Sequence, residues 1–152
     1  MKVIFFVFLI FNQLFFASGA AAKINTKVPC SVKFGKAGLC ASINPTTPIS
    51  RKSEVKFHLS FYEDKAKTKV LKLLKLPEVK LWMVMKSGHG HGSEELKITS
   101  TKDGFEISNA WFLMVGDWQV KIKFDYNGQE YAADANICVE RKAKDSFVGR
   151  CK

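Results

Sequence analysis

The chain has 152 residues and carries 24 Lys plus Arg against 14 Asp plus Glu, a formal charge of +10. Without its leader, what remains has the length of one domain around a single core. The excess is lysine dispersed through alternating segments, which reads as a solvated face; with no nucleic-acid motif in an exported chain, nucleic acid is excluded as a partner.

Met1-Lys2 gives a positive start, Val3 to Phe16 is a nearly unbroken apolar run, and Ala17 to Ala22 supplies small residues for cleavage. That order is the pattern of a secretory signal peptide over residues 1–22. The competing reading, a retained anchor, needs about 20 apolar residues, and this run is shorter and broken by Asn12-Gln13. Membrane contact is therefore expected only transiently, through the signal peptide, and the folded chain is expected to be periplasmic or secreted. The domain is placed at 23–141, followed by a basic, irregular tail at 142–152 held at Cys151.

Cys30, Cys40, Cys138 and Cys151 follow the leader. An even count in an exported domain implies disulfides, and four cysteines allow three pairings, among which the sequence does not choose. A start-to-end bridge would tie the terminal strands together, for about 2–5 kcal/mol. None of the pairs has the close spacing of a zinc clip.

Periodicity two dominates the rest. The first candidate strand is Leu39 to Asn44, closed by Asn44-Pro45 and Thr47-Pro48. Val55, Phe57, Leu59 and Phe61 then alternate with Lys56, His58, Ser60 and Tyr62, which packs one face and wets the other. Ala66 to Leu76 could form a helical stripe, but its neighbours favour a strand over Thr68 to Leu76 or an irregular connection. Val79, Leu81, Met83 and Met85 oppose Lys80, Trp82, Val84 and Lys86. Leu96 to Thr99, Phe105 to Ile107, Ala110 to Met114, Trp118 to Asp125 and Glu130 to Cys138 complete the set. Lys102-Asp103-Gly104 and Tyr126-Asn127-Gly128 are hairpin turns. About seven short antiparallel strands at this spacing predict an all-β, immunoglobulin-like sandwich.

The chemistry is concentrated between residues 83 and 92, where Met83-Val84-Met85 runs into Ser87-Gly88-His89-Gly90-His91-Gly92. Residues two apart on an extended chain project to one side, so His89 and His91 are candidate ligands of one ion. Glycines at 88, 90 and 92 permit backbone angles that would help the rings converge. Imidazole with thioether is a soft donor set suited to copper as Cu(I), with Met85 assisting and Met114 a fourth candidate. The plainer reading is a polar glycine-rich loop. Met83 falls with Val79 and Leu81 and reads as core packing. His58 reads as solvated on its strand, and Asp117, after Gly116, as bonding back to local amides. Nucleophile elbows, zincin helices and a free cysteine near a histidine are absent, which points away from an enzyme.

From Leu81 to Phe124 the chain resembles the YtkA-like domain, a small exported module related to FixH. The resemblance rests on Met85 leading into Gly88-His89-Gly90, on Phe105 and Trp111-Phe112, on Met114-Val115-Gly116-Asp117-Trp118, and on the strand Val120 to Phe124. It implies an immunoglobulin-like sandwich outside the cytoplasmic membrane and an association with copper handling and oxidase assembly. Lys86 stands where such domains commonly carry proline.

The sequence thus points to an exported, non-catalytic domain that binds copper through His89, His91, Met85 and Met114. The alternative is a structural or interaction module of the cell envelope. Its outward Lys80, Lys121 and Lys123 would dock an envelope protein or an anionic envelope surface.

Overall fold

The computed structural model describes residues 30–152 apart from 36, 37, 64–69, 86 and 88. The signal peptide expected at 1–22, Gly88 and the start of the strand expected at 68–76 lie outside the described residues. Among the described residues there are ten strands: β1 (Val32–Lys33), β2 (Leu39–Pro45), β3 (Val55–Glu63), β4 (Glu78–Val84), β5 (Gly90–Gly92), β6 (Lys97–Thr101), β7 (Gly104–Ala110), β8 (Gly116–Tyr126), β9 (Gln129–Val139) and β10 (Phe147–Val148). They form two antiparallel sheets, ordered β1-β2-β3-β7-β6 and β10-β9-β8-β4-β5. The connections β3–β4, β5–β6 and β7–β8 each leave one sheet for the other. A β2-β3-β7-β6 layer against β5-β4-β8-β9 is the strand order of an immunoglobulin-like sandwich. Seven strands have five residues or more; β1, β5 and β10, which the sequence reading did not single out, extend the sheets at their edges.

Alternation decides which side chains meet between the layers. Val55, Phe57, Leu59 and Phe61 of β3 are buried, as are Trp118, Val120, Ile122 and Phe124 of β8. Phe61 and Phe124 lie 4.5 Å apart between ring centroids, with Phe34 edge-on to Phe124 at 4.8 Å. Elsewhere in the core, Phe112 meets Trp118 edge-on at 5.3 Å. The β8–β9 hairpin turns at Asn127 and Gly128, both at positive φ (53° and 77°). Two left-handed residues at the tip match the right-handed twist of the strands they join.

Three segments differ from the sequence expectation. Among the described residues of 68–76, the sole strand-like pairing is Val70 with Tyr62. This stretch carries the chain from β3 in one sheet to β4 in the other, so its leucines cannot all face one core: Leu71 is buried while Leu74 and Leu76 are exposed. The strand expected over Ala110 to Met114 ends at Ala110, the last residue of β7. Residues 111–115 form the crossover into β8. The tail is structured, with a 3-10 turn at Ala143–Asp145 and β10 paired to β9.

Both disulfides are local. Cys30 pairs with Cys40 and Cys138 with Cys151, at Cα separations of 5.5 and 4.9 Å. The start-to-end bridge is not formed, because each cysteine finds its partner at its own sheet edge. The first bridge holds the residues before β1 to β2, and the second clamps the tail to β9. Covalent cross-links of this kind fit a compartment outside the reducing cytoplasm.

Candidate metal centre

Strands β4 and β5 form a hairpin in which Trp82 stands opposite Gly92, Met83 opposite His91 and Val84 opposite Gly90. The Met85 amide donates to the His89 carbonyl at 3.0 Å, which extends that register by one pair. Directly opposed residues of antiparallel strands project to the same face, with their β-carbons about 5 Å apart. Met83 with His91 and Met85 with His89 are therefore two thioether–imidazole rows on one face of the hairpin. Along the strand the two rows are separated by about 7 Å.

That face is the core side of the sheet, since Leu81 and Met83 are buried. The hairpin lies at the sheet's edge, so burial falls off toward its tip. Met85 is half-buried, and His89 and His91 are exposed. His89 Nδ1 lies 3.2 Å from the Ser87 hydroxyl, a contact that orients the ring and leaves Nε2 facing away from it. The His91 side chain makes no hydrogen bond among the described residues. Met114, the other expected ligand, sits in the 111–115 crossover, and its side chain is exposed. Met83 is paired with Trp118; continuing that register lays Met85 beside Gly116, two residues beyond Met114.

Two of the three loop glycines, Gly90 and Gly92, serve a different purpose from the one expected. Gly90 and Gly92 do not adopt positive φ. They lie on the opposite face of the hairpin, beneath the Trp82 indole. A β-carbon on Gly90 would overlap that ring, and one on Gly92 would touch it at 3.6 Å. An aromatic side chain laid across edge-strand glycines covers a backbone that has no side chains to pack, and it fixes the register. Lys121 Nζ lies 5.5 Å from the Trp82 ring centroid and adds a cation–π contact.

Two further expectations are corrected by long-range contacts. Asp117 does not bond to local amides: its Oδ1 accepts from the Cys151 amide at 2.7 Å, holding the chain end against β8. His58 is half-buried rather than solvated, with Nε2 at 3.3 Å from the Ser60 hydroxyl. Cys138, Glu140 and Cys151 bring donor atoms within 4.8 Å of one another, but both sulfurs are consumed by the disulfide.

Of the outward Lys80, Lys121 and Lys123, two are ion-paired with acids. Lys80 is paired with Glu78, and Lys123 with Glu130 at 2.8 Å. Lys121 stands opposite Asp134 in the β8–β9 register. The face thus presents alternating charge rather than a basic patch.

Sequence reasoning treated Met83 as core alone and missed its place in a Met–His row. The signal was present: Met-x-Met and His-x-His lie symmetrically about residues 86–88, which becomes informative once both flanks are paired strands. A three-residue β5 containing two glycines gave no strand signal of its own. No family model, curated protein or solved structure matches this chain.

Proposed function

We propose that this is a non-catalytic domain, periplasmic or secreted, that binds copper as Cu(I) at the tip of the β4–β5 hairpin. His89 and His91 supply imidazole nitrogen and Met85 supplies a thioether. Met114 is the exposed thioether available from the neighbouring crossover. The observation that carries the reading is the direct opposition of Met85 to His89, with His91 two residues on along the same face. Soft sulfur beside imidazole favours Cu(I) over harder divalent ions. The residue-level likeness to YtkA-like domains points in the same direction.

The lysine-docking alternative is less well supported, because Glu78, Glu130 and Asp134 offset the charges on which it relied. A competition titration of the oxidised chain with Cu(I) decides the matter. The His89→Ala, His91→Ala double variant is expected to lose binding while unfolding at nearly the same temperature, since both side chains are exposed. Wild-type affinity in that variant removes the site.

A further inference from the structure

Phe112 is fully buried against Trp118, and the Trp118 Nε1–H donates to the Met114 carbonyl at 3.0 Å. Between these anchors the crossover turns outward, leaving Leu113, Met114 and Val115 exposed at 68, 39 and 37 %. Singly exposed aliphatic residues are ordinary on any surface. Three in succession, held out by a buried ring on one side and an indole bond on the other, form a fixed apolar tip.

The chain segment beside this tip is basic. Gly116 stands opposite Val139, so the segment after β9 starts beside the tip. The Asp117–Cys151 hydrogen bond brings the chain end back to it. Residues 140–152 hold Arg141, Lys142, Lys144, Arg150 and Lys152 against Glu140 and Asp145. Phe147 lies in the row Asp117–Cys138–Phe147 and is 41 % exposed.

We infer that this end of the sandwich docks on an anionic lipid surface. Leu113, Met114 and Val115 enter the boundary between headgroups and acyl chains, and the flanking cations pair with lipid phosphates. Either element alone is weak; an apolar insertion and a basic surround reinforce one another at a charged interface. A soluble anionic polymer would engage the cations and leave the tip unused. The inference shares Met114 with the copper reading, so its test is run with a chelator present and leaves Met114 unchanged.

The test is co-sedimentation of the exported, oxidised, leader-free chain with vesicles. Phosphatidylglycerol mixed with phosphatidylcholine is compared with phosphatidylcholine alone. The wild-type chain is expected to partition onto the anionic vesicles and to be released as salt is raised. Leu113→Ser with Val115→Ser should weaken partitioning by about tenfold or more, and Lys142→Glu with Lys144→Glu should weaken it on anionic vesicles alone. All four residues are exposed, so thermal unfolding is expected to stay near the wild-type midpoint and serves as the control. Failure of the wild type to bind anionic vesicles at low salt overturns the inference. So does binding that is unchanged in the Leu113→Ser, Val115→Ser variant, which would leave only nonspecific charge attraction.

Discussion

Trp82 lies flat against Gly90, closely enough that no side chain could stand between them. Residues 89–92 therefore divide by parity, Gly90 and Gly92 making room for an indole while His89 and His91 hold imidazoles on the other face. Gly90→Ala must displace the ring or shift β5, at about 1–3 kcal/mol by analogy with overpacked sites. Denaturant unfolding should show the loss, with Trp82 emission moving toward that of a hydrated indole. Unchanged stability and emission would mean that the indole does not rest there.

A loss of copper affinity is also expected at a residue that holds no metal. Ser87 lies beside His89 Nδ1, and partners that orient a ligating imidazole are typically worth about 10–100-fold in affinity. Ser87→Ala should weaken Cu(I) binding toward the lower end of that range, and Met85→Leu should weaken it more. Met83→Leu, a volume-conserving change at a buried position, should leave it nearly untouched. If Met83→Leu proves the most damaging of the three, the ligand assignment has to be redrawn around Met83 and His91.

Removing the second disulfide tests how far the chain end belongs to the fold. The Cys138–Cys151 bridge spans 13 residues of sequence, and closing a loop of that size is worth about 3 kcal/mol in the chain-entropy account. Cys138→Ala with Cys151→Ala should lower stability by about that amount and open Arg150 to proteolysis. Resistance equal to that of the wild type would show that β10 and the Asp117 bond suffice by themselves.

Truncating Phe112 probes the anchor beneath the exposed crossover. Phe112→Ala removes a fully buried ring in contact with Trp118, for which about 3–5 kcal/mol is the usual cost. Calorimetric unfolding reads this directly. A loss well under 1 kcal/mol would mean that the neighbourhood collapses to fill the space.

Two surface pairs set the expected pH dependence. A hydrogen bond from Lys80, and then its charge, hold the Glu78 carboxyl below its ordinary value. The stabilisation is present above the unfolded value near 4.5 and fades as pH falls through the lowered one. A hydrogen bond with Glu130, and then its charge, hold the Lys123 ammonium above its ordinary value. That contribution is present below about 10.5 and fades as pH rises through the raised value. Both pairs are exposed, so each effect is small and salt-sensitive. Glu78→Gln should flatten the acid limb of the stability profile and Glu130→Gln the alkaline limb, with neither altering the middle; identical limbs in both variants would discount the pairs.

The sheets were readable because β3, β4 and β8 alternate apolar with polar residues along most of their length, and because Asn127-Gly128 allows few turns other than the one it makes. Other features depended on tertiary contact. The tip of the hairpin became visible only once Gly90 and Gly92 were seen as the floor under Trp82, since glycine in isolation signals looseness rather than pairing. Asp117 reached across 34 residues to Cys151, beyond any local rule about turns. The proposed metal ligands were named from donor chemistry. The structure added which thioether faces which ring, information that resides in strand register and is absent from a linear list.

The way the four cysteines join, first with second and third with fourth, bears on biosynthesis. A chain emerging amino end first presents Cys30 and Cys40 together long before Cys138 appears, so the earliest oxidation already produces a native link. Where oxidation keeps pace with that emergence, each later thiol meets its proper mate next and no wrong pair has to be reshuffled.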